Sequence, residues 1–143
     1  MEPTRGELLQ VIHKTGTYGA KAVRALLPRI YHSELRAEVE KHGVWYQTAA
    51  KKAEHLLYSR GLLPREENGM QKMTQWCSLK MSTLKNLTPS KAAEMMVLGC
   101  TMGLIEMHSV LNHQQESDEE AEALASDVMQ KERDMIESMC RYL

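Results

Sequence analysis

The stretch 92–107, AAEMMVLGCTMGLIEM, decides the fold. It has the length of a helix and is apolar on almost every side, with only Glu94, Thr101 and Glu106 breaking the run. A helix on the surface of a small protein carries one apolar stripe, whereas a helix that is apolar all round has to be buried. The stretch therefore predicts a helix at the centre of a helical core. It also holds Gly99-x-x-x-Gly103, and Glu106 follows Gly103 by three residues. That spacing sets a carboxylate on the closest-packing face of the helix, where it is either a buried structural acid or part of a metal site.

Working outward, apolar residues at 3–4 spacing mark further helices. Leu8, Ile12, Thr15, Gly19, Ala22 and Leu26, with Leu9, Gly16, Val23 and Ile30 beside them, form the first, and Pro28 ends it near Leu27. The second starts near Ser33, a residue able to cap it, and its seam is Leu35, Val39, His42, Tyr46, Ala49, Ala53 and Leu56. Gly61 and Pro64 stop it. Met70, Met73, Trp76, Cys77 and Leu84 predict a shorter helix. Pro89 then opens the buried helix, which runs to about Gln114. Acids in 118–122 suit the N-terminal dipole of a last helix, whose seam is Ala121, Ala125, Val128, Glu132, Met135, Met139 and Tyr142. The connection between the second and third long helices, residues 61–88, can cross the length of a bundle. The expected architecture is an all-α, up-down-down-up four-helix bundle forming one domain over 1–143, with a short extra helix in the crossover. One long crossover is how ferritin-like bundles are wired.

Composition narrows the function classes. The chain has 143 residues, enough for one domain with a real core. Its 18 basic and 19 acidic residues nearly cancel, which argues against a general nucleic-acid binder. The lysines at 72, 80, 85 and 91 and the acids of 116–122 read as two solvated faces. Cys77, Cys100 and Cys140 are far apart and include no C-x-x-C, so neither a disulfide framework nor a zinc knuckle follows. With no secretory leader visible, a reduced, cytoplasmic chain is expected. The longest apolar run, 95–105, is about half of the roughly 20 residues a bilayer requires, so no membrane segment is expected. Eleven methionines and no phenylalanine make an adaptable core.

The chain resembles a group of small uncharacterised ferritin-like proteins of anaerobic Gram-positive bacteria over nearly its full length. The likeness is carried by Gly16-Thr17-Tyr18-Gly19, Ala53-Glu54-His55-Leu56-Leu57, the Trp76 region, and above all Ala93-Glu94-Met95-Met96 continuing to Thr101-Met102-Gly103-Leu104-Ile105. The resemblance implies a ferritin-like bundle and no established activity. The di-iron site of the wider superfamily needs Glu-x-x-His on two helices. Here Gln10, Arg29, Val39, Lys52, Ile105 and Val110 stand three residues before the six histidines, so that site is absent.

Polar residues at core positions are the remaining signal, because burying them unpaired costs about 1–3 kcal/mol. His42 and Glu132 lie on the seams of their helices, and Glu106 interrupts the buried one. These three are candidates to approach one another and could form a reduced site for a single iron, zinc or manganese ion, the less favoured reading of them. A hydrogen-bonded network, or salt bridges to lysines that reach inward, is the alternative. Gly16, Gly19, Gly99 and Gly103 are expected to permit close helix packing, and Cys100 reads as an inert buried thiol. Glu38 and His42, one turn apart, read as a surface ion pair. There is no phosphate loop, nucleophile elbow or H-E-x-x-H, so no catalytic residue is named and the reading leans away from an enzyme. The leading expectation is an oligomeric or interaction protein, a homodimer through the third helix or the crossover helix, with metal binding or metal-dependent redox chemistry as the alternative.

Overall fold

A computed structural model of the chain describes residues 5–65 and 87–143. Its described elements are α1 (Glu7–Leu26), a 3-10 turn (Leu27–Arg29), α2 (Ser33–Ser59), α3 (Pro89–His113) and α4 (Glu119–Cys140). The short helix expected over 70–84 lies outside the described residues. The long helices begin and end where local chemistry dictates. Pro28 lacks a backbone N–H, so α1 gives way to the 3-10 turn. Thr88 Oγ1 accepts from the Lys91 N–H at 3.1 Å and Pro89 fills the first turn of α3. Asp118 Oδ1 accepts from the Ala121 N–H at 3.2 Å to cap α4, while the Arg60 guanidinium grips the same carboxylate at 2.6 and 2.7 Å. The cap of α2 differs from expectation: Ser33 is already helical, and the Nδ1 of His32 accepts from the Leu35 N–H at 3.3 Å.

Neighbouring pairs fix the directions of the helices. Gly16 faces Ala50, Gly19 faces Tyr46 and Gly43 faces Val23, so α1 and α2 are antiparallel. His108 with Arg133 and Gln114 with Glu122 make α3 and α4 antiparallel. Lys14 pairs with Glu106 and Thr15 approaches Gly103, so α1 also opposes α3. An isolated parallel bridge between Ile30 and Leu87 brings the starts of α2 and α3 together.

The α1–α2 seam is tight because of its glycines. A Cβ on Gly16 would lie 2.5 Å from the Tyr46 carbonyl oxygen, and one on Gly19 would lie 2.7 Å from the Tyr46 ring. The core has two apolar halves. Val23, Leu35, Val39, Met96 and Met139 belong to one. Leu8, Ile12, Leu57, Met107 and Leu124 belong to the other. Glu132 lies between Val128 of the second half and Met135 of the first.

Helix α3 departs from the expectation of burial all round. Leu98, Met102 and Ile105 are exposed, Ile105 by 65 %. These positions recur at helical spacing on one outward face, while Ala92, Ala93, Met96, Cys100, Gly103 and Met107 face the core. Gly99 also departs from it, since among the described residues a Cβ there would meet nothing within 4 Å. By length and composition alone α3 is apolar enough to cross a membrane, with 22 % of its most apolar window buried. A mostly buried core helix of a soluble protein meets the same criterion, and one such helix is weak evidence for a span.

Candidate metal centre

Three helices deliver one ligating side chain each to the middle of the bundle. His42 comes from the α2 seam, Cys100 from the inner face of α3 and Glu132 from the α4 seam, and one donor atom of each lies within 4.8 Å of the others. Cys100 and Glu132 are 0 % exposed and His42 7 %. The Cys100 Sγ is 3.8 Å from His42 Nε2. A tetrahedral zinc ion with its ordinary bonds to sulfur and nitrogen would hold those two atoms about 3.6 Å apart. The spacing fits the ion with little rearrangement.

Tyr46, one turn after His42 on the same seam, completes the group. Its hydroxyl donates to Glu132 Oε2 at 3.0 Å and lies 3.7 Å from Cys100 Sγ. Its ring meets the His42 imidazole edge-on at 4.4 Å. Gly19 makes this possible, because any larger side chain there would occupy the space of the Tyr46 ring. With that hydroxyl on Oε2, Glu132 Oε1 is a fully buried oxygen without a hydrogen-bond partner among the described residues. An unsatisfied buried acceptor costs about 1–3 kcal/mol, so its presence in a folded core asks for a compensating ligand.

Burial sets the protonation of the group. It raises the Glu132 carboxyl to about 7, against which the neighbouring Cys100 and Tyr46 side chains act. It lowers His42 to about 4, aided by the nearby charge of Lys131. Burial and then the Glu132 charge push the Cys100 thiol upward. Burial likewise holds the Tyr46 phenol well above its usual range. Without an ion the site is therefore close to neutral: imidazole, thiol, phenol and a carboxyl that protonates near neutrality. A divalent cation would convert thiol and carboxyl to two anions, which together balance its charge in a medium that tolerates no net charge.

The residues marked by the sequence divide at this site. His42 and Glu132 meet, and both had been legible as polar interruptions of apolar seams. Glu106 does not join them. It is half-buried and pairs with the ammonium of Lys14, which reaches across from α1. One turn of helix separates the inward face at Gly103 from Glu106, and the long lysine side chain satisfies the carboxylate there. Cys100 takes the third place. Its apolar surroundings disguised it, and only its neighbours across the helix interfaces reveal it. Glu38, one turn before His42, instead bonds Arg141 at 2.7 Å and the Tyr142 hydroxyl at 3.0 Å. Glu94 is exposed and pairs with Lys91. Gly16 and Gly19 sit at close approaches, and a Cβ on Gly103 would lie at ordinary contact distance from Thr15 and Glu132. Comparison of the chain with known protein families, with curated proteins and with solved structures finds no match.

Proposed function

We propose that this protein is a metal-binding helical bundle that holds one divalent transition-metal ion, with zinc the best fit, on His42, Cys100 and Glu132. The observation that supports it is the convergence of a nitrogen, a sulfur and an oxygen donor from three helices within 4.8 Å, with one buried carboxylate oxygen unspent. A thiolate favours zinc and softer ions over magnesium, calcium and manganese. The Tyr46 hydroxyl has the role of an outer partner that orients the carboxylate, as the groups behind metal ligands do. The ion would tie α2, α3 and α4 together, so the reading is a structural or storage site rather than a catalytic one. Helix directions and the long connection between α2 and α3 support a ferritin-like up-down-down-up scaffold in which this mixed-donor site replaces a di-iron centre. The thiol must stay reduced to bind, which fits a cytoplasmic protein.

Elemental analysis of protein expressed with iron, manganese and zinc supplied tests the proposal. About one equivalent of metal is expected in the wild type, with most of it lost in Cys100→Ser and in Glu132→Gln. A metal-free wild type, or full occupancy in both variants, overturns it. A second reading, a homodimer through α3, is favoured by the exposed Leu98, Met102 and Ile105. Light scattering after size exclusion decides it, since Met102→Glu would dissolve such a dimer and leave a monomer unchanged.

A further inference from the structure

An ion that binds inside a closed bundle needs a way in, and the surroundings of His42 indicate one. The inference rests on the reading that His42, Cys100 and Glu132 hold the ion. Of these three only His42 has any contact with solvent, so an arriving ion meets the imidazole first. Trp45 stacks on that imidazole, with ring centroids 5.8 Å apart and planes inclined by 25°. Its ring also lies 6.0 Å from that of Tyr46. Half-buried, it packs against both apolar halves of the core at the level where they meet. The same residue lines a groove of about 310 Å³ between α2 and α4, with Lys52, Asp127, Lys131 and Asp134 along its walls. Lys131 immediately precedes Glu132, and its charge is felt at His42.

We propose that this groove is the route by which the metal ion reaches the site, and that Trp45 is the gate between the groove and His42. The groove brings an ion to the edge of the indole, and rotation of that ring opens the imidazole behind it. Two carboxylates and two ammonium groups leave the groove without net charge, so long-range attraction contributes little, and passage is governed by the ring and by the charge beside it. Lys131 is the cation closest to the point of passage and opposes it. Release follows the same path backwards. A gate therefore changes uptake and release together, and barely changes affinity, which distinguishes it from a residue that positions a ligand.

Stopped-flow uptake of Co²⁺ by the metal-free protein, followed by the thiolate-to-metal absorption with Cys100→Ser as background, tests the route; release is read by mixing with excess chelator. Trp45→Ala is expected to speed both steps by about tenfold, the size of effect that loss of one aromatic stack gives, with Kd nearly constant. Lys131→Gln changes an exposed residue and leaves the packing intact. It is expected to speed uptake at low ionic strength, with the advantage shrinking as salt is added. Unchanged rates in Lys131→Gln overturn the route, even if Trp45→Ala fails to fold. A weaker Kd in Trp45→Ala at an unchanged uptake rate assigns Trp45 to positioning His42 and overturns the gate. A wild type that takes up neither Co²⁺ nor Zn²⁺ overturns the metal reading itself, whereas binding with unaltered rates in both variants overturns the route alone.

Discussion

Replacing Glu132 by glutamine in the metal-free protein should change the shape of its stability against pH, in a direction that depends on His42. The glutamine keeps an acceptor for the Tyr46 hydroxyl and removes the proton equilibrium. In the wild type, Glu132 is raised from 4.5 to about 7, so the folded state holds this proton more tightly than the unfolded one. Its contribution is fully present below about 4.5 and lost as the pH rises to about 7. The gap corresponds to about 3 kcal/mol. His42 is lowered from 6.5 to about 4, so the folded state resists its protonation. That contribution is complete above about 6.5 and lost as the pH falls to about 4, again by about 3 kcal/mol. Between about pH 4.5 and 6.5 the two slopes oppose each other, and the wild type should be nearly flat. Glu132→Gln leaves only the His42 slope, so its stability should climb through that range. From pH 4.5 to 8 it should gain about 3 kcal/mol relative to the wild type. Urea unfolding followed by circular dichroism, in chelator-treated buffers at half-unit pH steps, measures this. Parallel curves for the two proteins would refute the account of a desolvated, protonated carboxyl at this position.

Three further outcomes follow from the same contacts. Zinc added to the metal-free protein at pH 7 should raise its melting temperature and release between one and two protons, from the thiol and in part from the carboxyl; calorimetry in buffers of different ionisation enthalpy counts them. Tyr46→Phe removes the hydrogen bond to Glu132 Oε2 and should weaken zinc binding by about 10–100-fold, read by competition with a chelating dye, while Phe still fills the space beside Gly19. Gly16→Ala should destabilise by about 1–3 kcal/mol, because its Cβ meets the backbone of α2, whereas Gly99→Ala opens onto empty space and should stabilise by about 1 kcal/mol; thermal unfolding of the pair separates a packing glycine from an idle one.

Periodicity, capping and breakers determined most of this architecture without help from contacts. The seam of α4, from Ala121 to Met139, is buried as its spacing predicts, and Tyr142 packs at its end. On α2 the spacing holds from Leu35 to Ala53, after which Leu57 rather than Leu56 turns inward. His42 and Glu132 stood out because a polar residue inside an apolar period has to be explained. Gln10 and Lys14, by contrast, are buried on α1 without interrupting any regular stripe, and their partners come from distant segments: the Leu63 carbonyl accepts from Gln10 at 2.8 Å, and Glu106 faces Lys14.

What only the tertiary structure decided is how each helix is rotated against its neighbours. Spacing within one helix tells which residues share a face, but says nothing about which other face they meet. That rotation turned Glu106 toward Lys14, left Leu98, Met102 and Ile105 outside, and carried Cys100 to within reach of His42 and Glu132. A cysteine among methionines and leucines reads as one more apolar residue. Its chemistry becomes visible only when two other helices set an imidazole and a carboxyl beside it, because ligation depends on distances across the core that no one-dimensional period encodes.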